Sequence, residues 1–213
     1  MKRVILIGAT GIIGKRLQDE LTKDEVMQVI TVSRTGDTDL HADIGDTAQI
    51  KEMFRQTGVV DAVISVAGTC FWGPLMSMTE EQVYVGIRSK MMGQINLVLE
   101  GHRCVSEGGS FTLTSGFLSD DPVPGGAGYA IVNGAIDNFV LAGAVEFAGR
   151  LRINAVSPGW VTEGYGGLGT SHLPGQLPVS PERVMHAYYK AAFGFLTGQV
   201  FRVWEPSTQF LRK

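Results

Sequence analysis

Three polar residues stand in an order that suits proton transfer. Ser115 precedes Tyr129, and Asn133 follows that tyrosine by four residues. A phenol can exchange a proton with a substrate oxygen, and a serine hydroxyl can hydrogen-bond the same oxygen. Because a free phenol has a pKa of about 10, a nearby cation would bring it toward a working pH. Asn133 carries only an amide, so the chain lacks a cation at the fourth residue after the tyrosine.

A glycine-rich turn near the N-terminus carries a second kind of chemistry. Residues 8–14, GATGIIG, follow the apolar run Val4–Ile7 and precede an apolar stripe within 12–21. Glycines permit a tight turn and close approach of a pyrophosphate, and a helix N-terminus adds free N–H groups and a positive dipole end. In this strand–turn–helix context the pattern predicts a dinucleotide site. A plain strand–helix turn is the alternative.

The elements that must position these residues alternate between strands and helices. The apolar runs predict strands at 4–7, 29–32, 61–66, 110–114, 152–156 and 199–203, and the periodicity predicts helices at 12–21, from 47, at 80 to about 100, at 127–148 and at 181–195. This alternation predicts an α/β single-domain Rossmann fold: a doubly wound parallel sheet of about seven strands with helices on both faces. Its ligands are expected at the carboxyl ends of the strands. We expect one domain over 1–204 and a loosely ordered tail over 205–213.

The composition excludes several other classes of protein. The 213 residues are 18% charged, carry a net charge of −3 and contain no block of lysines or arginines, which argues against nucleic acid or an anionic membrane as partner. Cys70, Cys104 and the four histidines have no metal-site spacing, so no metal is expected. The N-terminus does not resemble a signal peptide, and no apolar run is expected to be long enough to span a bilayer. The cytoplasm is the expected location.

Over about residues 4 to 162 the chain resembles the short-chain dehydrogenase/reductase family. The resemblance lies in the glycine-rich turn, Asp43-Ile44, Val66-Ala67-Gly68, the Ser115 and Tyr129 pair, and Pro158-Gly159. In that family the tyrosine is the acid/base and the serine binds the substrate oxygen. A lysine four residues after the tyrosine binds the nicotinamide ribose and lowers the tyrosine pKa, and an asparagine on the preceding helix holds a relay water. The Gly-x-x-Gly-x-x-Gly spacing, and Val66 in place of an asparagine, depart from the standard pattern.

Lys90 stands where the family carries its helix asparagine. Lys90-Met91-Met92-Gly93 is the best local fit to the family's Asn-x-x-Gly pattern, and Asn133 occupies the lysine position. We therefore hypothesise that Lys90, Ser115, Tyr129 and Asn133 form a permuted catalytic tetrad, with the cation on the other side of Tyr129. The alternative is that Lys90 is a solvated helix lysine and the site is inactive.

The residues after the second strand favour NADP(H) over NAD(H). Ser33 and Arg34 follow the apolar run, where NAD-preferring sites usually carry an acid, and an arginine is suited to a 2′-phosphate. A solvated loop arginine is the alternative. The resemblance implies these cofactor-binding residues: Gly8, Thr10, Gly11, Ile12, Ile13, Gly14, Ser33, Arg34, Asp43, Ile44, Val66, Ala67, Gly68, Pro158, Gly159 and Val161.

Taken together, the sequence predicts an NADP(H)-dependent oxidoreductase that moves hydride between NADPH and a small carbonyl or alcohol substrate. The alternative function is a catalytically silent dinucleotide-binding protein with a regulatory or scaffold role. The substrate side is expected from residues 71–74, 117–126 and 160–174, with a glycine-rich lid over 163–175. The resemblance also implies a homodimer or homotetramer packed through the helices at 80–100 and 127–148.

Overall fold

A single parallel sheet organises the molecule. The computed structural model describes residues 1–161, 173 and 176–204. Within these ranges seven strands pair in the order β3-β2-β1-β4-β5-β6-β7, and every pairing is parallel. The strands are β1 Lys2–Ile7, β2 Met27–Ser33, β3 Leu40–His41, β4 Val60–Ser65, β5 Val105–Thr114, β6 Arg152–Pro158 and β7 Val200–Val203. The predicted doubly wound sheet is confirmed, and its strand order reverses between β1 and β4.

Helices cover both faces of the sheet. They are α1 Ile12–Leu21, α2 Thr47–Thr57, α3 Glu80–Gly86, α4 Met92–Gly101, α5 Ala127–Phe147 and α6 Pro181–Phe193, with 3₁₀ turns at Leu75–Ser77 and Phe117–Ser119. Apolar side chains of α2, α4 and α5 pack on one face, and those of α1 and α6 pack on the other. This layering leaves the carboxyl ends of the central strands open for a ligand.

The helix that was predicted to run unbroken from Glu80 is interrupted. A π-helical turn, Ile87–Met91, separates α3 from α4 and contains Lys90. Thr79 caps α3 through a capping box with Gln82, as the sequence predicts for its start. π-Turns insert one residue into a helix and are frequent at functional sites.

Other differences from the sequence expectations are small. The two-residue strand β3 was not predicted individually, because Leu40 and His41 are too few to show a period. Helix α6 ends at Phe193, since Gly194 takes an extended conformation, and β5 begins five residues before the predicted start. Most of the expected lid at 163–175 and the whole expected tail at 205–213 lie outside the described residues.

Helix α5 is long and apolar enough to cross a membrane by length and composition alone. The expectation that no apolar run reaches that length was therefore wrong. The helix packs along β6, and its inner face carries the buried polar residues Asn133 and Asp137. Only 28% of its most apolar stretch is buried, so packing on the sheet accounts for only part of its hydropathy.

Candidate active site

The turn between β1 and α1 is shaped to receive an anion. Gly8 has φ +86°, a conformation that favours glycine, and a Cβ on Gly14 would overlap the Gly8 carbonyl. Gly11 is the N-cap of α1 and offers no capping side chain, and the first turn of the helix holds no acidic residue. The first N–H groups of α1 are therefore free of a side-chain cap. A pyrophosphate would complement them.

Two adjoining cavities lie along the carboxyl edge of the sheet and share Gly11 and Val66. The first measures about 210 Å³. It holds the predicted residues Gly8, Thr10, Gly11, Ser33, Arg34, Asp43, Ile44, Val66, Ala67 and Gly68. The second measures about 360 Å³. It holds the predicted residues Gly11, Ile12, Ile13, Gly14, Val66, Lys90, Ser115, Tyr129, Asn133, Pro158, Gly159 and Val161. Every nominated catalytic and cofactor-binding residue thus lines one of these two adjoining cavities, which together form the crevice.

Arg34 lies at the mouth of the first cavity. Its Nη1 atom is 3.8 Å from Asp43 Oδ2, and the arginine side chain is 65% exposed. Ser33 is buried, and its hydroxyl lies 2.6 Å from the Thr35 carbonyl to which it donates. The guanidinium therefore remains available to a ligand, whereas the Ser33 hydroxyl is engaged by its own loop.

The Lys90 ammonium is buried inside the second cavity. The side chain is only 7% exposed, so the alternative of a solvated lysine was wrong. Lys90 Nζ donates to Asn133 Oδ1 at 2.7 Å and to the Ser115 carbonyl at 2.8 Å, and it lies 5.7 Å from the centroid of the Tyr129 ring. Burial lowers the pKa of Lys90 to about 8. Lys90 and Asn133 are thus hydrogen-bonded partners beside the tyrosine.

Two residues hold Lys90 in place, and one of them, Gln94, lies outside the predicted set. Gln94, one turn later, is fully buried and pairs with both backbone groups of Thr114: its Nε2 donates to the carbonyl at 2.9 Å and its Oε1 accepts from the N–H at 2.7 Å. Gly68, after β4, lies against the lysine, because a Cβ there would come within 2.6 Å of Lys90 Cα. The hydrogen bonds of Gln94 and the close contact with Gly68 together hold the π-turn against the ends of β4 and β5.

Gly68→Ala is expected to destabilise the fold and to displace Lys90. Gly68 has φ +126°, and the added methyl would meet the lysine backbone, so we expect a loss of about 2 kcal/mol or more in the free energy of unfolding. Urea denaturation measures the loss. Gly108→Ala is the matched control, since Gly108 has φ +75° and open space around it. Equal losses for the two variants would show that the Lys90 contact contributes nothing.

Tyr129 and Ser115 lie beside the lysine under an apolar cover. The Tyr129 ring meets Trp72 edge to face at 6.1 Å between centroids. Phe117, Leu118, Trp160 and Leu173 form a cluster that also contacts both rings. The Ser115 side chain is 2% exposed and lines the cavity. Described residues of the three predicted substrate-side segments therefore cluster beside Tyr129, namely Trp72, Phe117, Leu118, Trp160 and Leu173.

Asp137 is the functional candidate that sequence reasoning missed. It follows Asn133 by four residues on α5, is 7% exposed, and accepts from Ser119 Oγ at 3.0 Å. Burial, the largest influence, raises the pKa of its carboxyl. A signal was present, because Tyr129, Asn133 and Asp137 are spaced four residues apart and so share one helix face.

Comparison with known proteins places these features in a family. A family model described as enoyl-(acyl carrier protein) reductase matches residues 8–171. Versicolorin reductase 1 from Dothistroma septosporum is 31% identical over 168 residues, which cover 76% of this chain and 64% of the relative. The chain thus matches somewhat less than two thirds of that relative's length.

Solved structures share the whole fold. The protein lin1944 from Listeria innocua is 39% identical, with a TM-score of 0.90 over 96% of this chain and 100% of that chain. A small-chain dehydrogenase in complex with NADPH is 28% identical, with a TM-score of 0.83 over 97% of this chain and 98% of that one.

Proposed function

The chain belongs to the short-chain dehydrogenase/reductase family, and on that premise we propose that it is an NADP(H)-dependent reductase of a small carbonyl compound. The proposal also covers the reverse oxidation of the alcohol. Support comes from the reductase relatives, from the neighbour that binds NADPH, and from the crevice that contains the nominated catalytic and cofactor-binding residues. The observation that carries the proposal is the buried Lys90–Asn133 hydrogen bond beside Tyr129.

The residues of the crevice fit a nicotinamide dinucleotide. The uncapped start of α1 would hold the pyrophosphate, and Arg34 would meet a 2′-phosphate. Pro158, Gly159 and Val161 border the second cavity, where the nicotinamide would lie. When bound, the reduced cofactor supplies the hydride that forms the new C–H bond at the carbonyl carbon.

The protein's own residues would supply the proton and orient the substrate. Ser115 hydrogen-bonds the carbonyl oxygen, and Tyr129 donates its phenolic proton to that oxygen as the alcohol forms. The Lys90 cation stabilises the resulting phenolate, and Asn133 holds the ammonium through its Oδ1 atom. Proton exchange with solvent then restores the phenol.

A screen of small ketones and aldehydes with NADPH tests the proposed function. Oxidation of NADPH that depends on substrate would support it. Tight NADPH binding without turnover across the panel would instead favour the silent dinucleotide-binding protein. The apolar cover of Trp72, Phe117 and Leu118 makes aryl and alkyl ketones the first substrates to try.

Arg34→Ala is expected to weaken NADPH binding selectively. Loss of a charge-assisted contact to the 2′-phosphate should raise the Kd for NADPH about 10- to 100-fold, while the Kd for NADH changes less than about twofold. Fluorescence titration of both nucleotides measures the two constants. Arg55→Ala is the matched control, since Arg55 is a similarly exposed arginine that pairs with Glu52 on α2. An equal loss for both nucleotides would contradict the NADP(H) preference.

We also propose a homodimer or homotetramer assembled through α4 and α5. Leu99 on α4 and Leu141 and Val145 on α5 are 54%, 52% and 78% exposed, which leaves apolar surface on both helices. Gly143 and Ala144 on α5 pack inward, against Ile153 and toward Gly198, so they do not belong to this apolar surface.

A further inference from the structure

The buried carboxyl group of Asp137 lies in the same polar cluster as Ser115. Asp137 is positioned by α5, and Ser115 follows β5. Ser119 Oγ contacts both the carbonyl of Gly116, the residue after Ser115, and Asp137 Oδ2, which places the two side chains in one cluster. The Ser115 hydroxyl lowers the pKa of Asp137. Within the described residues, Ser115 Oγ and Asp137 Oδ1 are both buried without a hydrogen-bond partner. Two complementary polar atoms of this cluster are thus uncommitted.

The other carboxylate oxygen shows how protons can be arranged in this cluster. Ser119 Oγ lies 3.0 Å from the Gly116 carbonyl and 3.0 Å from Asp137 Oδ2. Ser119 has one hydroxyl proton, which can align fully with only one of these acceptors. When Ser119 donates to Oδ2, a proton carried by Asp137 lies on Oδ1, the oxygen with no hydrogen-bond partner among the described residues. Oδ1 is therefore the atom that can donate when Asp137 is protonated and accept when Asp137 is ionised.

We propose that Asp137 is a positioning residue that sets the direction in which the Ser115 hydroxyl donates its proton. This inference rests on the proposed function, and it adds a residue that controls the orientation of the Ser115 hydroxyl. A protonated Asp137 donates to Ser115 Oγ, and Ser115 then donates to the carbonyl oxygen of the substrate. An ionised Asp137 accepts from Ser115, and the serine then presents only a lone pair, which suits an alcohol.

Charged groups from three neighbouring elements act on this carboxyl. Asp120, which ends the 3₁₀ turn at 117–119, disfavours its ionisation, and Arg202 on β7 favours it. Lys90 on the π-turn also interacts electrostatically with Asp137. Burial outweighs these influences and raises the pKa of Asp137 above the ordinary 3.8. Carbonyl reduction should accordingly be favoured at low pH.

Asp137→Asn tests the direction of donation. In the wild type, the kcat/KM for carbonyl reduction should fall about tenfold per pH unit above the Asp137 pKa, because the serine turns away. The asparagine amide donates at every pH, so the decline of kcat/KM above the Asp137 pKa should disappear. The change in kcat/KM that the titration of Lys90 causes near pH 8 should remain. Asp137→Leu, which can neither donate nor accept, should also lose this dependence on pH, with kcat/KM about tenfold below the low-pH value of the wild type.

Asp120→Asn is the control for a general charge effect. Asp120 is 32% exposed and pairs with Arg202 at 2.8 Å. Its replacement should therefore leave in place the decline of kcat/KM above the Asp137 pKa. If kcat/KM of Asp137→Asn still declines above the Asp137 pKa, or if the Asn and Leu variants have equal kcat/KM values, the inference is overturned.

A carboxyl ¹³C NMR titration decides the inference without turnover. The signal that is absent from Asp137→Asn identifies the group, and Ser115→Ala should raise its midpoint by about half a pH unit or more, because the ionised carboxylate loses a donor. An unmoved midpoint would sink the proposed coupling. A wild type that reduces no carbonyl would defeat the proposed function, while this titration would still report on Asp137 and Ser115.

Discussion

Lys90→Met is expected to lower carbonyl-reduction turnover by about 10²- to 10³-fold, because the phenolate of Tyr129 loses its buried cation. Methionine keeps most of the side-chain volume and removes the charge. NADPH binding should survive the change, since Gly8, Gly14 and Arg34 line other parts of the crevice. Steady-state kinetics, combined with a nucleotide titration, separates the two effects.

The reciprocal exchange, Lys90→Asn with Asn133→Lys, supplies the decisive control. Lys90→Asn alone should lose turnover as Lys90→Met does, whereas the double variant restores a cation beside Tyr129 and should recover at least about tenfold. Turnover that is unchanged in Lys90→Met would contradict the permuted tetrad.

Stability gives a readout of the same lysine that does not depend on activity. Burial lowers the pKa of Lys90 from 10.5 to about 8 in the folded chain. Between these values the unfolded chain binds more protons, so the free energy of unfolding contributed by Lys90 rises with pH across that window. Lys90→Met should lack this rise when its denaturation curves are compared with those of the wild type.

Tyr129→Phe is expected to abolish measurable turnover, with a loss of about 10²- to 10⁴-fold. The variant removes only the phenolic oxygen and keeps the ring that packs on Trp72. The fold and NADPH binding should therefore remain, and kcat should fall far more than the apparent affinity for substrate.

Tyr84→Phe is a matched control for that experiment. Tyr84 is a 37% exposed tyrosine on α3, away from the crevice. Its loss of a hydroxyl should leave kcat within about twofold of the wild type, as is usual for surface substitutions. Full activity in Tyr129→Phe would exclude the tyrosine as the acid.

Local patterns account for the parts of the fold that could be predicted. Helix α1 has the predicted bounds Ile12–Leu21, because its apolar stripe and glycine turn are contiguous in sequence. The Thr79 cap is equally local. The π-turn at Ile87–Met91 was not predictable in this way, since it depends on how Lys90 and Gln94 meet the end of β5.

In the candidate site, too, local sequence patterns could be predicted and long-range contacts could not. The hypothesis that Lys90 and Asn133 are exchanged came from spacing along the chain, but the burial of the ammonium depends on Gly68, which lies more than twenty residues away. Asp137 could have been found by extending the spacing of Tyr129 and Asn133 by one helical turn. Its neighbour Ser119, however, comes from a 3₁₀ turn that carries no periodic signal.

The direction of the Lys90 side chain depends on the number of residues in the π-turn. A regular α-helix rotates by about 100° per residue, so removing one residue from 87–91 would turn every later side chain by roughly that angle relative to α3. Because Gln94 holds α4 against Thr114, the residues just before Lys90 would have to absorb this change in rotation. Insertions and deletions in this short segment, and not only substitutions, therefore decide whether a cation faces Tyr129.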